Sequence, residues 1–126
     1  MTESTLADLV RDLDAALEES YARGYWPRQQ NLTSIIRRYS GRDSMLSIVT
    51  SISRDEYLMD SCVKRSQIHP LGFDKIVLLA APNYQVHLHV WWNHASTRED
   101  IHNHRFSFAS GVVTGAIRMS SYRLGG

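Results

Sequence analysis

"FDKIVLLAAPNYQVHLHVWW", residues 73–92, holds two runs rich in β-branched and aromatic residues on either side of a Pro-Asn pair, which is the pattern of two strands joined by a turn. In the second run strict alternation puts Val86, Leu88, Val90 and Trp92 on one face and Gln85, His87, His89 and Trp91 on the other. The aliphatic face suits packing under helices, and the opposite one is left for His89 and Trp91. Both tryptophans read primarily as core. The same texture starts near residue 66 and returns in IHNHRFSFA and GVVTGAIRMSSY, two further expected strands.

Upstream the period changes. Leu6, Leu9, Val10, Leu13, Ala16, Leu17 and Tyr21 form the stripe of an amphipathic helix, with Thr5 and Asp8 as a capping-box pair and Gly24 as its stop. Leu32, Ile35, Ile36 and Tyr39 repeat the spacing up to Gly41, and Met45, Leu46, Val49 and Ile52 do so behind Asp43. Ser53 and Glu56 are placed to cap a short helix through Leu58. The expected organisation is one α+β domain over residues 1–126, mainly helical over 1–65 and strand-rich over 66–126.

Composition fits one soluble domain: 126 residues, 43% of them apolar and 21% charged. A net charge of +1, with basic and acidic residues interspersed, leaves no footprint for nucleic acid or an anionic membrane. MTESTLADLVRDLD lacks the basic-then-apolar plan of a secretory signal, and the longest apolar run, Ile76 to Pro82, is far short of a membrane span. Cys62 is the sole cysteine, so no internal disulfide forms; it reads as a buried small residue, and a cytoplasmic location is expected. The chain has no G-x-S-x-G, Walker-type loop, C-x-x-C or dinucleotide fingerprint.

All six histidines, at 69, 87, 89, 94, 102 and 104, fall in the strand-rich part. On a strand His102 and His104 share a face with Cα atoms roughly 6.5–7 Å apart, which lets two imidazoles converge on one ion. Phe106 and Phe108 continue that face, followed by Gly111 and Gly115 on either side of VVT. A polar pair running into aromatic residues looks like the lining of a barrel. His69, His87 and His94 read as ordinary surface or turn residues.

Over roughly residues 69–122, IHNHRFSFASGVVTGAIRMSSY resembles the first motif of the cupin superfamily. Within it the cysteine-dioxygenase-like branch is most similar, because its His-x-His strand also follows a strand bearing tryptophan, as HLHVWW does here. The resemblance implies helices packed on an antiparallel jelly-roll barrel. It also implies a mononuclear non-haem Fe(II), or another divalent metal, on His102 and His104, and oxygenation of a small-molecule substrate. The glutamate usual in cupins would fall on Phe108 or Ala109, neither of which binds metal, so a third ligand must come from elsewhere; His89 is the internal candidate. Trp91, Phe106, Phe108 and Tyr122 are expected to line the pocket, with Arg118 near its mouth. A non-catalytic cupin binding a metabolite or partner protein, and a metal-dependent isomerase or lyase, are the alternative readings. Because "RMSSYRLGG" ends soon after the motif, the rest of the barrel is expected from a second copy in a homodimer or from a complementing chain, with residues 111–126 in that interface.

Overall fold

A computed structural model of the protein describes residues 5–22, 29–68, 73–92 and 108–119. Its elements are α1 (Thr5–Ala22), α2 (Gln29–Tyr39), α3 (Arg42–Arg54), α4 (Glu56–Arg65), β1 (Gln67–Ile68), β2 (Phe73–Ala80) and β3 (Gln85–Trp91). The fold is α+β. The chain divides into two compact units, Met1–Leu6 with Leu46–Glu99 and Ala7–Met45 with Asp100–Gly126. All three strands therefore share a unit with α4 and most of α3.

In the second unit, the apolar stripe of α1 buries Leu9 and Leu13, and α2 buries Ile35 and Tyr39 one turn apart. A polar bridge joins these helices: Asp12 accepts from Tyr39 Oη at 2.5 Å and from Arg38 Nη1 at 2.9 Å. The hydrogen bond from Tyr39 is the main cause that lowers the Asp12 pKa, against the opposing effect of burial, and the charges of Arg38 and Arg11 add to it. Burial, then the bond to Asp12, raises that of Tyr39. A carboxylate with a depressed folded-state pKa contributes stability above its ordinary value, 3.8, and loses that contribution as pH falls through the folded value. A tyrosine with a raised pKa loses its contribution once pH climbs past its ordinary value of 10.0. Stability is thus expected to fall at both extremes, and Asp12→Asn should flatten the acid side. Urea midpoints measured from pH 7 down to about pH 3, around the ordinary carboxylate range, check this; equal acid slopes in both proteins would refute it.

Gly111 lies against the end of α2, where a Cβ would stand 2.9 Å from Ser40 Oγ and 3.0 Å from Ile36 Cγ2. Any larger residue there must push α2 side chains aside. Gly115, with φ at +88°, holds a backbone conformation that side-chain-bearing residues rarely adopt. No residue from 108 to 119 is in a strand, so the strand expected over GVVTGAIRMSSY is not formed over its described part, 111–119. Two glycines within five residues, one of them left-handed, break the run of extended geometry that its β-branched composition favours.

In the first unit, α3 buries Ile48 and Ile52 on adjacent turns. This corrects the expected stripe: Leu46 is 66% exposed and Val49 is also exposed. At 3.6 residues per turn, Leu46 lies roughly 160° round the helix from Ile48. The fourth helix also differs from expectation. Its N-cap is Asp55, whose Oδ1 accepts from Leu58 N at 3.0 Å, and it runs on to Arg65. Ser53 does not cap it, since its hydroxyl donates to the Thr50 carbonyl at 2.8 Å. Such a cap contributes about 1 kcal/mol, and Lys64 and Arg65 in the last turn complement the negative end of the helix dipole.

Ser66 connects that helix to the sheet. Its N–H and its hydroxyl both donate to the Cys62 carbonyl, at 3.0 and 2.6 Å, and its Oγ accepts from Val77 N at 2.9 Å. β1 pairs only with Asp74 and Lys75, so this hydroxyl takes the place of a ladder partner further along β2. α4 packs on β2, with Cys62 buried as expected of it. The sheet is antiparallel in the order β1-β2-β3, with a bulge between Val77 and Leu79. Phe73, Val77 and Leu78 of the central strand are buried. Ala81 N donates to Tyr84 O at 2.8 Å and closes the hairpin around Pro82 and Asn83.

Candidate functional site

The register of the hairpin decides which side chains meet. Phe73 pairs with Trp91, Lys75 with His89 and Val77 with His87, so these six residues share one face. Along β3, Gln85, His87, His89 and Trp91 are exposed and Val86, Leu88 and Val90 are half-buried. The alternation along β3 is as expected, although the histidine face also carries the buried Phe73 and Val77 of β2. Its depth is not as expected: Trp91 is 43% and Trp92 63% exposed, so neither is core. β3 lies at the edge of the described sheet, and alternation says which way a residue points without saying what covers it. Trp92 still finds a polar partner, its Nε1 donating to Asp74 Oδ2 at 2.7 Å.

On the histidine face the rings form a row over Phe73. Its ring centroid is 5.0 Å from that of His89 and 5.1 Å from that of Trp91. His87 and His89 stand 5.9 Å apart, and Trp91 meets His89 edge-on, also at 5.9 Å. His87 Nε2 lies 2.8 Å from Gln85 Oε1. Because an amide oxygen only accepts, the imidazole donates there, and the neutral ring keeps its lone pair on Nδ1. Partial desolvation of this otherwise exposed ring by its neighbours lowers the His87 pKa, with the charges of Lys75 and His89 adding to the effect. His87 is exposed, as expected of a surface residue, and stands beside His89.

His102, His104, Phe106 and Tyr122 lie outside the described residues, as do His69 and His94. Phe108, expected to line a pocket, is 53% exposed, and Arg118 is exposed too. Among the described residues no three His, Cys, Asp or Glu side chains converge as a metal-binding group. A groove of about 360 Å³ on α3 and α4, bordered by Arg54, Glu56, Met59, Asp60 and Val63, contains no histidine. Among the described residues no helix is long and apolar enough to cross a membrane. Comparison with protein-family models, with curated proteins and with solved structures gives no match.

Proposed function

We propose that this chain is a metal-binding protein of cupin type, holding one divalent ion, iron(II) foremost, through His102 and His104, and that it oxygenates a small molecule. The observation that supports this reading is the sorting of β3. The strand before the His-x-His motif carries imidazoles and an indole on one face and aliphatic residues on the other, the in-and-out alternation of a barrel strand. The donor chemistry fits, since neutral imidazoles bind iron(II) and leave coordination positions open. In this reading His102 and His104 hold the ion. Phe106 and Tyr122 border the substrate in this reading, whereas Trp91 and Phe108 are too exposed, at 43% and 53%, to keep water from it. When bound, ferrous iron would supply the electrons that triplet dioxygen needs; the protein would supply orientation.

Elemental analysis of the untagged protein, purified without chelators, tests the reading. Near-stoichiometric iron, with dioxygen uptake on addition of a turned-over small molecule, is the expected result. Another divalent metal would direct the reading to an isomerase or lyase, and a metal-free protein to a binding module.

A further inference from the structure

The exposed face of β3 carries a second His-x-His pair, whose placement is visible. The geometry points to a two-imidazole site made by His87 and His89, separate from His102 and His104, for a divalent ion of the imidazole-preferring kind such as Cu(II), Ni(II) or Zn(II). Three observations carry it. First, the two rings project from one face of one strand with centroids 5.9 Å apart. Two imidazoles on one ion at the usual metal–nitrogen distance of about 2.0–2.1 Å hold their centroids roughly 4.5–5.5 Å apart. Small side-chain rotations of two exposed residues close that difference.

Second, His87 already has the partner that ligating histidines use. A metal-bound imidazole donates its other ring N–H to an oxygen acceptor, which fixes the tautomer and the ring plane. Gln85 Oε1, 2.8 Å from Nε2, is such an acceptor and leaves Nδ1 for the ion. Third, His89 is packed between Phe73 and Trp91, which limits the rotamer freedom it would lose on binding. Lys75, cross-strand from His89, works against the site, because its ammonium repels a cation. That charge makes the site a reversible one and gives a handle on its strength.

Imidazole sites follow the order in which Cu(II) binds most tightly among first-row divalent ions, so Cu(II) is the probe. It is titrated into the full untagged chain carrying His102→Ala and His104→Ala, which makes the result independent of the function proposed above. The expected result is saturable quenching of indole emission at one equivalent, since Trp91 meets His89 edge-on at 5.9 Å, and an electron paramagnetic resonance signal split by two nitrogens. His87→Ala and His89→Ala should each weaken binding by more than about tenfold, and Gln85→Leu by about tenfold, the lower end for an outer partner. Lys75→Gln should tighten it. Both histidines are exposed, so alanine is not expected to unfold the chain, and His87→Gln gives a second check with circular dichroism as the control. Absence of saturable binding, or an affinity in the His87→Ala and His89→Ala proteins unchanged from that of the parent chain, would overturn the proposal.

Discussion

Ile48→Ala is expected to destabilise the protein by about 2–5 kcal/mol, the range for removing three carbons from a buried aliphatic residue. Ile48 is 1% exposed and has Ile52, at 2%, one turn away on the same helix. Truncation removes transfer free energy and leaves a cavity that a close-packed interior refills only in part. Against a total stability of about 5–15 kcal/mol, such a loss moves a large share of the protein toward the unfolded state. For a chain of this size it lowers the melting temperature by roughly 10–20 °C. Leu46→Ala on the same helix is the internal control: at 66% exposure it should change stability by less than about 0.5 kcal/mol. Chemical denaturation of the two variants side by side decides the matter. Equal midpoints would mean that α3 does not bury the face described here.

The parts of this fold that were legible in the sequence are those in which a single period dominates. The Leu6, Leu9 and Leu13 stripe marks a helix, and its three leucines are buried. The hairpin was legible too: FDKIVLLAA and YQVHLHVWW correspond to β2 and β3 within a residue at each end, and the faces of β3 sort as alternation requires. What alternation lacks is depth. Trp91 and Trp92 are large and apolar, yet they sit on and just beyond the edge strand of the described sheet, and their hydrophobicity alone does not tell an edge from a centre. In α3 the spacing of Met45, Leu46, Val49 and Ile52 suggests one stripe, but Leu46 lies far round the helix from Ile52, and Ile48 fills the buried face instead. In GVVTGAIRM, composition favoured a strand while Gly115 required a left-handed turn, and backbone geometry prevailed. The His87 and His89 pair was available to the same argument applied to His102 and His104. One residue between two histidines on a strand puts both on one face wherever it occurs.

The double variant His102→Ala, His104→Ala is expected to lose tightly held iron altogether, and this is the largest effect anticipated for a change to the candidate site. Removal of even an outer-shell partner costs roughly 10–100-fold in metal affinity. Removing two direct ligands of an ion that has two or three protein ligands in all should cost several times that factor on the logarithmic scale. His94→Ala falls in the same stretch of sequence without the alternating spacing, so it should leave metal content unchanged. The comparison separates a chelating pair from a general effect of histidine number. The β3 pair enters as a second axis. If iron is held by His102 and His104, the His87→Ala protein retains it while losing the Cu(II) site, and the double variant behaves in the opposite way. Metal content measured on all three proteins after the same chelator wash distinguishes these patterns. Iron retained in full by the double variant would remove His102 and His104 from the site, and with them the cupin reading of the chemistry, while the fold and the imidazole face of β3 would stand as described.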